Sequence, residues 1–244
     1  MRKSEREEKR DNDQFEQLDS YMRKCCTWRI GGSIGLPPIQ PKVAHSVYDE
    51  WSRSLSARYH RATALHEAGH AVVAEIFFPG LVNEVQLASL SSLIAVVKKF
   101  NGEGNGAFIN GKTVYGDFEV SADDAKDRLS KRIVIILAGI EFQTLEGFEA
   151  ADIEVTEEAE GRLIDVTLRE FEQHFTISRK TQWRILDKVE GRVSELRRND
   201  GVCIAVTEVA DKLTVSSPIT GSCVRQIVEG NCCPELLERM RARF

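Results

Sequence analysis

The chain has 244 residues, of which 42% are hydrophobic and 29% charged, so it is long enough for one sizeable core with an appended arm. Its formal net charge of -5 argues against a protein that binds nucleic acid through bulk positive charge. The longest apolar run, from Ile133 to Ile140, is far shorter than the roughly 20 residues that a bilayer-spanning helix needs. The composition therefore predicts a globular protein with neither nucleic acid nor membrane among its partners.

The cysteines and the N-terminus predict the compartment. Two adjacent pairs, Cys25-Cys26 and Cys232-Cys233, and the single residues Cys203 and Cys223 lack the two Cys-x-x-Cys knuckles of a zinc ribbon. The charged N-terminus is followed by no apolar stretch, so no secretory signal is expected. We therefore expect a cytoplasmic protein with six reduced thiols.

The chain divides by composition into three parts. Residues 1–30 are a charged N-terminal arm, in which both signs are mixed. Residues 31–44 are a linker, because three glycines and three prolines fall between Gly31 and Lys42. Residues 45–244 are then expected to form the compact domain.

The first half of this domain is predicted to contain one long helix and a small sheet. The helix runs from Ser56 to Phe78, where apolar residues recur at helical spacing, and Pro79-Gly80 ends it. Two strands and a hairpin with an Asn110-Gly111 turn follow: Val82–Leu87, Leu93–Val97 and Ala107–Tyr115.

The second half is predicted to be helical to its end. A capping box at Ser121 starts the first of these helices. The later ones are expected near Asp152 and at Ser178–Arg198, Val202–Leu213, Ser222–Val228 and Pro234–Arg243. Their inward-facing residues should include Ile153, Leu163, Val166, Phe171, Trp183, Leu186, Val189, Val193 and Leu196. The expected fold is mainly α with a small antiparallel β-sheet (α+β).

The segment that carries chemistry is His66-Glu67-Ala68-Gly69-His70 in the first helix. Residues four apart lie about 40° apart around a helix, so the two imidazoles share one face and can hold one Zn2+ ion. Glu67 is turned about 100° from His66, where it can take a proton from a water on the metal. This arrangement is typical of a zinc metallopeptidase with Glu67 as the general base.

A catalytic zinc site needs a third protein ligand and one open position. The acidic and histidine residues that follow leave five candidates open, which are Glu141, Glu146, Asp152, Glu154 and His174. Of the remaining histidines, His45 and His60 are expected to be ordinary surface or hydrogen-bonded residues, as is His174 if it is no ligand. Trp28, Trp51 and Trp183 are expected to be packing residues.

The sequence resembles the FtsH family of zinc metalloproteases over roughly residues 58–230. The segments that carry the resemblance are His66–Ala74, Val82–Leu87, Arg132–Phe142, Ala151–Ala159, Val209–Leu213 and Ile219–Ile227. The resemblance implies an HExxH zinc-peptidase helix bundle with Zn2+ held by His66, His70 and Asp152. Asp152 taken alone is also a good helix N-cap, and Glu141 is the next ligand to consider or a residue that orients a histidine.

The resemblance covers the peptidase half of that family alone, because this sequence contains neither membrane helices nor the ATP-driven unfolding module. It therefore implies an ATP-independent endopeptidase that cleaves flexible polypeptides or works beside a separate partner protein. The family works as a ring, so a homo-oligomer is compatible with it. We also expect the substrate to add as an extended strand beside an edge strand at Val82–Leu87.

Two hypotheses compete with this interpretation. Gly106–Thr113 matches the phosphate-binding pattern Gly-x-x-x-x-Gly-Lys-Thr, with Lys112 as its lysine, but such a loop must open a helix and the residues that follow do not start one. The second hypothesis is a catalytically silent regulatory or binding protein that keeps the peptidase fold and the metal. Loss of hydrolysis in Glu67→Gln would argue against it.

Overall fold

The computed structural model describes residues 9–17, 20, 45–89, 91, 111–116, 124–147, 150–175 and 177–242, with some side chains of 45–59 and those of 150–159 excepted. Residues 9–17, in the predicted arm, are helical. The described residues fall into two compact units, which divide between His60 and Arg61. The larger unit contains residues 61–88 and the described chain from 111 onward, and it holds all the site residues discussed below.

The first helix, α1, runs from His45 to Phe77 and begins eleven residues before the predicted start at Ser56. Residues 64–77 of α1 are all buried. Buried Glu75 ends the helix, because its carboxylate accepts hydrogen bonds from the backbone N–H of Gly80 at 2.8 Å and of Val82 at 3.0 Å. Gly80 has φ +90°, a left-handed conformation that glycine adopts readily, so the chain turns there into the first strand.

The sheet has three antiparallel strands in the order β2-β1-β3: β1 is Val82–Leu87, β2 is Gly111–Tyr115 and β3 is Ile219–Thr220. The predicted bounds of β1 are confirmed, but the prediction that it is an edge strand is wrong. The short β3 pairs with Glu84 and Val85 on one side of β1, and β2 covers the other side. Among the described residues β2 and the short β3 are therefore the two outer strands. The predicted strand Leu93–Val97 and the hairpin residues before Gly111 lie outside the described residues.

The described chain continues with further helical segments: α2 Ala125–Gln143, a 3-10 turn Thr144–Glu146, α3 Ala150–Phe175, α4 Arg179–Arg197, α5 Asp200–Val215, α6 Gly221–Asn231 and α7 Pro234–Arg241. Helix α2 packs against both α3 and α4, and α5 packs against α6. The prediction of a mainly α fold with a small antiparallel sheet is confirmed. None of the described helices is long and apolar enough to cross a membrane.

Side-chain caps explain why three of these helices begin where they do. Ser178, Asn199 and Thr220 each accept a hydrogen bond from the backbone N–H three residues later, which satisfies one of the free donors of the first turn. Helix α2 instead begins after Asp124, whose side chain makes no cap bond, and the predicted capping residue Ser121 lies outside the described residues.

For three residues the prediction of an inward position is wrong. Leu163 and Val166 of α3 are 45% and 50% exposed, and Trp183 of α4 is 68% exposed. The predicted inward residues Phe171, Val189, Val193 and Leu196 are buried, and Leu186 is partly buried against the core. Ile153, Trp28 and Trp51 lie outside the described side chains.

The reduced state of the six thiols stays a prediction. Cys203, Cys223, Cys232 and Cys233 are all free, whereas Cys25 and Cys26 lie outside the described residues. Burial, with a smaller effect of Cys233, raises the pKa of the Cys232 thiol to about 11, so this thiol is protonated at neutral pH.

Candidate metal centre

The two histidines of α1 face each other across one helical turn, as their spacing predicts. Their Nε2 atoms lie 3.0 Å apart, and the residues are only 5% and 9% exposed. The Nδ1 of His70 donates to the backbone carbonyl of Ile135 at 2.7 Å. Because a carbonyl only accepts, the neutral His70 ring has its free lone pair on Nε2, which is the tautomer that binds a metal through Nε2.

Glu160 of α3 completes a triangle with these two rings. Its Oε1 lies 3.2 Å from the Nε2 of His66 and 3.2 Å from the Nε2 of His70. Two nitrogen or oxygen ligands of a tetrahedral zinc ion lie about 3.3 Å apart, so the three edges of 3.0, 3.2 and 3.2 Å match one face of such a site. These three side chains form the one group among the described residues whose donor atoms are all close enough to hold a metal ion.

The three donor atoms of this triangle favour a positive charge between them. Burial alone would lower the pKa of His70, but its hydrogen bond to Glu160 and the charge of that carboxylate outweigh this and raise the pKa to about 8. Burial would likewise raise the pKa of Glu160, but the bonds from both histidines lower it to about 2. Three atoms with lone pairs thus converge in a buried space, where a proton or a cation must lie between them.

Two buried polar atoms of the triangle have no hydrogen-bond partner among the described residues, the Nδ1 of His66 and the Oε2 of Glu160. Buried polar atoms nearly always have a partner, so two such atoms in one small group mark a specialised site. The donor set of two imidazoles and one carboxylate is one that zinc takes in catalytic sites. The residues present therefore fit a zinc ion.

Helix α2 closes one side of the site through a glycine. A Cβ atom added to Gly139 would lie 2.5 Å from ring atoms of both His66 and His70, so only glycine fits where α2 passes the rings. Gly69 allows the same approach from α1, since a Cβ there would lie 2.6 Å from the carbonyl oxygen of Ala138. We call the group formed by Ile135, Gly139 and Glu160 the helix side of the site.

Glu67 faces the opposite side, towards β2. Its Oε2 accepts a hydrogen bond from the Thr113 hydroxyl at 2.8 Å, and the residue is 4% exposed. A Cβ atom added to Gly111 would lie 2.7 Å from Glu67 Oε1 and 2.8 Å from the Cγ2 of Thr63, so this strand position also needs glycine. We call the group formed by Glu67, Gly111 and Thr113 the strand side of the site.

The predicted third ligand, Asp152, lies in α3 with its side chain outside the described residues, as does Glu154. Glu141, Glu146 and His174, the remaining candidates for that ligand, are not brought to the two histidines. Glu146 bonds to Arg61, with Oε1 at 2.9 Å from the Arg61 Nε, and Glu141 and His174 belong to no metal-ligand group of the described chain.

Glu160 was not among the predicted ligands, although α3 carries a signal for it. The buried face of this helix passes through Glu160, Thr167 and Phe171, with the partly buried Ile164 between them. These residues recur at helical spacing, so Glu160 is an acid on an apolar face. The predicted inward face, through Leu163 and Val166, lies about 100° around the helix from the observed one. On that prediction Glu160 is turned away from the core.

The competing phosphate-binding pattern does not have the structure that it needs. Gly111–Tyr115 is a strand paired with β1, so no helix begins after Lys112 whose N–H groups could cradle a phosphate. No protein-family model matches this chain, and no curated protein gives a significant match to it.

Proposed function

We propose that this chain is a zinc-dependent endopeptidase that hydrolyses flexible polypeptides, with the zinc-peptidase helix bundle that its resemblance to the FtsH family implies. The observation that carries the proposal is the triangle of His66, His70 and Glu160 with the Glu67 carboxylate beside it on the same helix as the histidines. A metal triad alone would suit a structural site, but a buried acid next to it that is not a ligand suits catalysis.

The site residues have separate roles in the proposed reaction. His66, His70 and Glu160 would hold zinc, which supplies a Lewis acid that lowers the pKa of a bound water and polarises the peptide carbonyl. Glu67 accepts the proton of the attacking water and then gives it to the leaving amine. The Thr113 hydrogen bond at 2.8 Å to Oε2 helps to hold the Glu67 carboxylate in one orientation.

We assign Glu160 as the third ligand, whereas the resemblance predicts Asp152, whose side chain lies outside the described residues. The two residues are eight apart in α3, so their backbones are about 12 Å apart and only one of them can complete the same site. Glu160 is favoured by its two contacts of 3.2 Å with the histidines.

The outer strand β2 is the better position for an extended substrate than β1, which is central. Gly111 and Thr113 of β2 lie against Glu67, and no described strand pairs with the outer edge of β2. A flexible peptide that added to this edge through backbone hydrogen bonds would run past the general base.

The test is hydrolysis of fluorescein-labelled casein by the zinc-loaded protein. We expect cleavage that is lost on chelation, restored by zinc and absent in Glu67→Gln. Zinc-loaded protein that leaves casein intact would contradict the proposal and favour a binding or regulatory protein with the same metal site. Cleavage that survives in Glu67→Gln would point to a contaminating protease.

A further inference from the structure

Tyr115 shares the inward face of β2 with the residues that touch Glu67. Gly111 and Thr113 pair with Leu87 and Val85, which are buried, and both contact Glu67. Side chains two apart in a strand point to the same face, and Tyr115 pairs with buried Val82. Tyr115 therefore points towards α1, whereas Lys112 and Val114 point the opposite way.

Strand β2 also advances along α1 as it advances in sequence. Gly111 lies beside Thr63 and Glu67, and the Thr113 hydroxyl lies 3.3 Å from the backbone carbonyl and 2.8 Å from the carboxylate of Glu67. Two residues of a strand advance about 6.6 Å and four residues of a helix about 6 Å, so Tyr115 is brought level with the following turn of α1. That turn carries His70.

The electrostatic surroundings of the phenol agree with this position. Burial of the hydroxyl and then the charges of Glu67 and Glu160 raise the pKa of Tyr115, against a lowering by Arg132 and by a hydrogen bond with Thr113. The residue as a whole is 38% exposed, so part of the side chain meets solvent, while desolvation of the phenol is the largest cause of its raised pKa. The phenol therefore keeps its proton at neutral pH and remains a hydrogen-bond donor.

We propose that Tyr115 is a further catalytic residue, whose hydroxyl donates a hydrogen bond to the carbonyl oxygen of the scissile peptide as that oxygen gains negative charge. The inference rests on the proposed peptidase function. The step moves no proton from the phenol, because the oxygen returns to a carbonyl when the amine leaves. In the absence of substrate, the Tyr115 hydroxyl bonds to the Thr113 hydroxyl, which itself donates to Glu67.

Such a donor acts more on the transition state than on the bound substrate. Loss of one donor of this kind lowers kcat by about 100-fold to 1000-fold and leaves KM nearly unchanged. The variant Tyr115→Phe removes one oxygen and keeps the ring, so its packing against β1 is preserved. The control is Lys180→Ala, an exposed lysine of α4 that lies outside the site.

The experiment measures kcat and KM on a quenched-fluorescence peptide that copies a casein cleavage site, together with the zinc content and the thermal midpoint of each variant. We expect kcat of Tyr115→Phe to fall about 100-fold or more with KM within about twofold, and zinc unchanged. Lys180→Ala should match wild type. A phosphinic analogue of the same peptide, which mimics the tetrahedral state, should bind Tyr115→Phe more weakly by a similar factor.

A kcat of Tyr115→Phe within about threefold of wild type, or a loss confined to KM, would overturn the proposal. The proposal would also be overturned if Tyr115 acted only by orienting Thr113. In that case the double variant Thr113→Val with Tyr115→Phe would lose no more activity than Thr113→Val alone. Failure of the peptidase function itself is separate, since it shows as inactive wild-type protein or as activity that persists in Glu67→Gln.

Discussion

The strand side and the helix side of the site each hold a buried glutamate close to the same two histidines, yet their neighbours differ. On the helix side, Glu160 lies 3.2 Å from both imidazoles, and their bonds lower its pKa to about 2. On the strand side, Glu67 has a neutral partner, the Thr113 hydroxyl at 2.8 Å. In the proposed function, surroundings rather than residue type therefore separate the two roles, a fixed anion for Glu160 and a proton acceptor for Glu67.

The largest expected effect is a crossed pair of substitutions on the two glutamates. Glu67→Gln should lower kcat by about 1000-fold or more and keep zinc, because it removes the proton acceptor and leaves the three ligands. Glu160→Gln should weaken zinc binding by more than about 100-fold, because a neutral amide replaces the anionic ligand. Kinetics on casein peptides and zinc titration measure both. If both substitutions weakened zinc binding equally, Glu160 would not be distinguished from Glu67 as the zinc ligand.

The glycines give the next largest effect. Gly139→Ala should weaken zinc binding and lower the free energy of unfolding by about 1–3 kcal/mol, because its Cβ would lie 2.5 Å from both imidazoles. Gly111→Ala should lower kcat but keep zinc, because its Cβ would displace Glu67 and no metal ligand. Denaturant unfolding, zinc titration and kinetics separate the two.

The matched control is Gly161→Ala, next to Glu160 in α3, where a Cβ would meet no atom within 4 Å. This change should leave zinc binding unaltered and raise the free energy of unfolding by about 0.5–1 kcal/mol, since alanine suits a helix interior better than glycine. If Gly161→Ala lost as much zinc as Gly139→Ala, the close packing of Gly139 on the imidazoles would not be the reason that the site needs glycine.

A smaller effect is expected from Thr113→Val, which keeps the shape of the side chain and removes its hydroxyl. The carboxylate of Glu67 then loses a hydrogen bond worth about 1.5 kcal/mol, so kcat should fall by roughly tenfold. Zinc content should stay at the wild-type level. Steady-state kinetics check this, with Thr113→Ser as the control that restores the hydroxyl; a Ser variant as slow as the Val variant would contradict the account.

The smallest effect concerns the stability of the metal-free protein. The Glu160 pKa is lowered to about 2, so its stabilising interaction is complete above about pH 4.5 and is lost as the pH falls towards 2. The His70 pKa is raised to about 8, so its interaction is complete below about pH 6.5 and is lost as the pH rises through 8.

Urea unfolding with chelator present should therefore find a free energy of unfolding that is higher near pH 5.5 than at pH 9, by on the order of 1 kcal/mol. The difference should disappear in Glu160→Gln, which cannot pair with a charged imidazole. An unchanged pH dependence in that variant would show that different groups cause it.

Local signals in the sequence predicted much of this fold. The helices α4 to α7 begin within two residues of their predicted starts, because Ser178, Asn199 and Thr220 cap them and Pro234 opens the last. The bounds of β1 also follow from local pattern. The pairing of His66 and His70 follows from the helical period alone.

Features that depend on distant packing could not be predicted this way. The central position of β1 is set by β3, a two-residue strand more than 130 residues later that has no strand pattern of its own. Glu160 reaches the histidines only because of the rotation at which α3 packs on α2, and a shift of one residue in the assumed face hides it. Gly111 and Gly139 likewise carry no local sign of the side chains that they make room for.

The most direct test of the account is the zinc content of purified protein, measured by elemental analysis for wild type, Glu160→Ala and Asp152→Ala side by side. We expect about one zinc per chain in wild type and in Asp152→Ala, and a sharp reduction in Glu160→Ala. Zinc that is retained in Glu160→Ala and lost in Asp152→Ala would contradict the assignment of the third ligand. Wild-type protein that takes up no zinc would contradict the metal centre altogether.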